Sequence, residues 1–269
     1  MTLHGLREVE RGEYVTVGYR IMAVKERAEW ADELSERFDC GVTWDTERQV
    51  WETGRRALVD ASLDDDEADW VVVIQDDSLI GPEFSRSVVA EALRWVDEPR
   101  PVAFYTGDAG RFRRPEIIAG HDLAEQRGAG WVEAVGPVWG PVVAIPTDHI
   151  EALVSYADRN TAKGYDTKIM NYWRSQRTDC WYTSPSLVDH RPVSENPSAI
   201  SASNRTANRQ AYKVGVHRDW GLVQRCDAAS LRPWVWMTDG TRRSKVRKGT
   251  RKWERLADRG WAEEAVNAT

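Results

Sequence analysis

Two adjacent carboxylates, Asp76 and Asp77, follow the most apolar run in the chain, in the segment WVVVIQDDSLIGPEF that begins at Trp70. Such a run, entered from the acidic turn Asp64–Glu67, reads as a buried strand. In open α/β sheets ligands bind just beyond the carboxyl ends of strands. Side-by-side carboxylates repel unless a cation or donors compensate them. A hard divalent ion that keeps several waters and bridges to substrate phosphates is one solution; service as caps for the next helix is the other. His190 follows a second strand and a Pro turn in CWYTSPSLVDHRP. Its imidazole is a candidate further metal ligand, although a lone histidine also fits a core or a surface. The last such feature is the basic stretch 242–255, RRSKVRKGTRKWER, with eight basic groups and one acid. It carries +7, so the net charge of −6 leaves −13 on the rest of the chain. That asymmetry fits contact with a polyanion, or a solvated helix. Arg243, Arg247 and Arg251 step by four, as on one face of a helix. Trp253 in the same run would stack on an exposed base.

The elements that must hold these residues alternate. Tyr14–Val24 is rich in β-branched and aromatic residues and predicts a strand, and Lys25–Phe38 a helix. A strand over Cys40–Trp44 closes on Asp45, a helix covers about 47–62, and the strand Trp70–Ile74 follows. A helix over about 82–95 and a strand at 101–105 complete a βαβαβαβ pattern, which implies a mostly parallel sheet with helices on both faces. Residues 107–130 are rich in Gly, Arg and His and read as loop. Two strand-like pieces lie within 130–146, helices over 147–157 and 164–174, and a strand over 179–183. Residues 191–219 read as a long polar loop, and the tail from Leu222 has no clear period.

Composition narrows the class. With 269 residues, 41% hydrophobic and 30% charged, the chain is globular in composition and long enough for a substantial core. No run of eighteen apolar residues occurs, so no membrane span is expected, and the polar start is not a secretory signal. Cys40, Cys180 and Cys226 are widely spaced, which argues against a disulfide scaffold or a cysteine zinc site and for a reducing, cytoplasmic setting. The 14 tryptophans are an unusual load: several, such as Trp70 and Trp181, sit in apolar runs and read as core, and others are candidates to line a site for a ring-shaped ligand. Glycine fingerprints of nucleotide folds and the serine-hydrolase elbow are absent.

The order of these pieces resembles a GT-A glycosyltransferase: Asp45 after the second strand, QDD after the central one, an Asp-led helix at 166, then PSLVDH. The resemblance covers about 14–205, and in style it is similar to small enzymes of that fold encoded by actinobacterial phages, which would act in the host cytoplasm. It implies an α/β fold with a mixed, mostly parallel sheet flanked by helices. It also implies a catalytic domain over 1–215 and a Trp-containing basic appendage over 216–269. The acidic triplet corresponds to the DXD motif, with Gln75 at its first acidic position. The resemblance then implies Asp77 and His190 as ligands of manganese or magnesium, and Asp76 as a ribose or sugar contact. Ala23 to Arg27 would cradle uracil and diphosphate, with Asp45 near the base or ribose. Gly136, Trp139 and Gly140 would admit the sugar and stack it on indole, or else form a bulge with a core Trp. Asp45 as a helix cap is the parallel alternative. Asp166 would be the base that deprotonates the acceptor hydroxyl, or a residue that answers the helix dipole.

The implied activity is transfer of a sugar, as a UDP-linked hexose, from a nucleotide-diphosphate donor to a hydroxyl. A hydroxylated base in phage DNA, gripped through 242–255, is the first acceptor considered; a protein or virion component is the alternative. A nucleotidyltransferase needs a Gly-rich basic loop after the first strand, where this chain has AVKERAEW. A non-catalytic nucleic-acid or virion binding module would use the basic tail and tryptophans alone.

Overall fold

The computed structural model describes residues 5–107, 115–136, 139–192, 209–216 and 218–226, with the backbone of 234–238, 243–247 and 262–265. The strands are β1 (Leu6–Glu8), β2 (Val17–Val24), β3 (Gly41–Asp45), β4 (Trp70–Gln75), β5 (Ser78–Ile80), β6 (Val102–Ala103), β7 (Ala129–Ala134), β8 (Val142–Pro146), β9 (Cys180–Thr183), β10 (Val188–His190) and β11 (Asp219–Arg225). The helices are α1 (Ala28–Phe38), α2 (Val50–Asp64), α3 (Arg86–Leu93), α4 (Pro115–Arg127), α5 (Ile150–Arg159) and α6 (Tyr165–Ser175). Nine strands form one mixed sheet in the order β1-β11-β7-β9-β6-β8-β4-β2-β3. Pairing is parallel for β2 with β3 and β4, for β6 with β9 and for β7 with β11; β8 runs antiparallel between β4 and β6.

Alternation along each strand feeds two cores. Tyr19, Ile21, Val72 and Ile74 pack beneath α1 and α3, against Leu34, Phe38, Val89 and Leu93. Val71, Val73 and Met22 face α2, α4, α5 and α6 through Leu58, Ile117, Leu153 and Ile169. Both faces of the central strands are therefore covered, which is why β4 reads as an unbroken apolar run rather than an alternating one.

Three expectations change. Residues 107–130 are not all loop, because 115–127 form α4: Pro115 takes the first position, where its missing N–H costs nothing, and Ile117 and Ala124 are fully buried. Asp219–Arg225 is a strand of the main sheet, paired with both β7 and β1, so the sheet runs past the expected boundary at 215. In the appendage, β12 (Trp234–Thr238) lies between β13 (Arg243–Arg247) and β14 (Ala262–Ala265) in an antiparallel sheet. The four-residue step of Arg243 and Arg247 is thus not a helical period, and Arg251 and Trp253 lie outside the described residues.

Candidate active site

Strand direction gathers the site. The parallel strands β2, β3 and β4 end at one sheet edge, with Val24 opposite Asp45 and Met22 opposite Gln75. Antiparallel β8 begins at that edge, so Gln75 N donates to Pro141 O at 2.8 Å and Gly140 arrives beside Gln75. Short β10 pairs with β5 in a register that sets His190 opposite Ser78, next to Asp77. His190 is therefore the last residue of a strand rather than a residue beyond one, and this pairing brings it beside a carboxylate 113 positions earlier in the chain.

The carboxylates meet an arginine. Arg27, 7% exposed, leaves the single helical turn after β2 and reaches both: Nη2 lies 2.6 Å from Asp76 Oδ1 and Nη1 2.8 Å from Asp77 Oδ2. Asp76 Oδ2 also accepts from Val24 N at 2.8 Å. Burial pushes the Asp76 carboxyl up to about 7, opposed by Arg27 and reinforced by Asp77. Asp77 Oδ2 faces two more groups, His190 Nε2 at 3.6 Å and Arg209 Nη1 at 3.7 Å. His190 is 3% exposed, and its Nε2 has no hydrogen-bond partner among the described residues. Burial lowers its pKa, with Arg209 acting in the same direction and Asp77 against it, so the ring is neutral near pH 7 and able to bind a cation.

Among the described residues no group of three or more His, Cys, Asp or Glu side chains could hold a metal. Asp77 and His190 supply two donors, and the orphaned buried Nε2 fits a cation between them. Magnesium or manganese held by two protein groups takes its other ligands from water and phosphate.

Asp166 reaches the same edge. A Cβ on Gly140 would stand 2.6 Å from Gln75 Nε2 and 3.7 Å from Asp166 Cβ, so both side chains lie against this glycine and the Gln75 side leaves no room for a side chain there. Asp166 Oδ1 accepts from Thr167 N at 2.7 Å, as a helix-terminal carboxylate does, while Oδ2 makes no hydrogen bond among the described residues. Burial raises the Asp166 pKa; Thr167 and Arg209 lower it. Arg209 therefore acts on Asp77, His190 and Asp166 alike. It is held there by Tyr105, whose hydroxyl donates to Arg209 O, and by Asp189, whose Oδ1 accepts from Ala211 N at 2.6 Å.

The other expected residues divide. Ala23 pairs with Trp44 at the edge, where Lys25 Nζ lies 3.9 Å above the Trp44 ring. Asp45 Oδ1 accepts from Glu47 N and Gln49 N and so braces the turn before α2, whose N-cap is Gln49 rather than Asp45. Gly136 O accepts from Arg174 Nη2 at 2.9 Å. Trp139 is half-buried, with its ring 5.5 Å from Tyr182, and packs on both cores. Arg27, expected at the diphosphate, sits on the carboxylates because burying two adjacent charges requires a counter-ion. Arg209 and Trp44 were not expected. Arg209 lies in a polar loop without period, and the only nearby signal was the Asp189 that anchors its segment.

No known family model matches the chain, and no curated protein matches its sequence. Among solved structures, a glycosyltransferase involved in the glycosylation of the major capsid of PBCV-1 aligns over 77% of this chain and 93% of its own, at 11% identity and a TM-score of 0.30.

Proposed function

We propose that the chain is a metal-dependent glycosyltransferase of the GT-A kind, moving a sugar from a nucleotide-diphosphate donor to a hydroxyl acceptor. The observation that carries the reading is the meeting at one sheet edge of Asp77, a buried His190 Nε2 without a partner among the described residues, and the half-buried Asp166 across Gly140. Asp77 and His190 would hold the divalent ion, which when bound offsets the charge of the leaving diphosphate. Arg209 is a second cation on that side of the site. Asp166 would take the acceptor proton: an acceptor hydroxyl is a poor nucleophile, and a carboxylate with a raised pKa accepts a proton more readily. Lys25 on Trp44, beside Ala23, offers a flat cationic shelf for the base of the nucleotide. A uridine nucleotide with a hexose is the donor, and a hydroxylated DNA base is the acceptor that the basic 242–255 segment favours. The test is thermal unfolding with uridine diphosphate. Stabilisation that requires manganese and disappears with chelator supports the reading; stabilisation indifferent to metal, or none, goes against it.

A further inference from the structure

The acidic pair already has a cation. One guanidinium bridges both carboxylates at 2.6 and 2.8 Å, from a side chain 7% exposed, and the oxygen it holds on Asp77 is the one that also faces His190 Nε2 at 3.6 Å. Arg209 adds a second positive charge 3.7 Å from that oxygen. Two guanidiniums thus already face the two carboxylates there. A divalent ion entering alone would add two unpaired positive charges to a buried cluster, where uncompensated charge is costly. It would also meet Arg27 on the same oxygen. A diphosphate entering with it reverses that balance, because it brings negative charge for the ion and for whichever guanidinium is displaced.

We infer that Arg27 is the resident counter-cation of Asp76 and Asp77 and competes with the divalent ion for Asp77, so that metal and diphosphate bind together rather than metal first. The inference rests on the diphosphate-sugar reading above. It makes Arg27 a positioning residue: it holds the carboxylates in place while the site is empty of donor, and it guards against capture of metal without substrate. The coupling is reciprocal, so manganese tightens the nucleotide as much as the nucleotide tightens manganese.

Isothermal titration of manganese into the full chain, with and without uridine diphosphate, tests it. In the wild type, manganese alone binds weakly and the nucleotide tightens it by about 5–150-fold, the usual span of such couplings. Arg27→Gln removes the competitor, so manganese alone binds more tightly, by a factor in about the same range, and the coupling shrinks. Arg27→Lys keeps the charge but loses the planar fork; it falls between the two and supplies the readout if Arg27→Gln fails to fold. Wild-type coupling with manganese alone bound no more tightly by either variant overturns the competition and leaves the transferase reading standing. No manganese binding by the wild type under either condition overturns both.

Discussion

Asp76 and Asp77 are neighbours in sequence with different surroundings, and each surrounding makes its own demand. Asp76 is 1% exposed and tied to Val24 N and Arg27, and its carboxyl titrates at about 7 in the folded chain against 3.8 ordinarily. Between those values the folded protein keeps a proton that the unfolded chain has lost, so Asp76's contribution to stability falls as pH rises through that window. Asp76→Asn cannot take on that buried charge. Its melting temperature relative to wild type should become more favourable from about pH 4 to about pH 8; a difference that stays flat would contradict the assignment. For Asp166→Asn the expected result is kinetic: turnover falls by about 10²–10⁴ while donor affinity is kept. Unchanged turnover would leave Asp166 as a helix-terminal residue only, its Oδ1 on Thr167.

At the level of elements, α6 is seated by its first residue. Tyr165 is 1% exposed, and a Cβ on Gly54 in α2 would stand 2.1 Å from its ring. Glycine inside a helix is ordinarily worse than alanine by about 1 kcal/mol. Here Gly54→Ala should destabilise by about 1–3 kcal/mol through overpacking, read by urea unfolding, and should lower turnover by shifting Asp166; a stabilised variant would refute the close packing. The strand before Asp76 and Asp77 and the helix that carries Asp166 were legible because strands with continuous apolar runs and helices with regular stripes announce themselves. α4 was not, since Gly120, His121 and flanking glycines mask a weak apolar face around Ile117 and Ala124. Arg27 was legible as a cation but not as the partner of the carboxylates, because a fifty-residue separation carries no local signal. Arg209 was invisible for the same reason: its place depends on Tyr105 and Asp189, not on its neighbours in sequence.

For the whole molecule, the charge asymmetry and the site point the same way only if the acceptor is a polyanion. β13 is paired to β12 through Trp236↔Lys245, so removing the chain from Arg242 onward would strip β12 of partners as well as charge. Replacing Lys248, Arg251, Lys252 and Arg255 by Gln is the cleaner change. Transfer to hydroxymethylated duplex DNA should weaken, with the salt slope reduced by about 0.9 for each phosphate no longer neutralised, while donor hydrolysis holds. Equal loss of both, or no transfer to DNA by the intact chain, would remove DNA as acceptor. No helix among the described residues is long and apolar enough to cross a membrane. The sharpest assay for glycosyl transfer is release of nucleoside diphosphate from a panel of nucleotide-sugars, with manganese or with chelator, by the wild type and Asp77→Ala. Hydrolysis of at least one donor is expected with manganese only, and is expected to vanish in Asp77→Ala. Release of diphosphate from no donor, or release that survives both chelator and Asp77→Ala, would show that the edge formed by Asp77, His190 and Asp166 is not a metal-dependent transferase site.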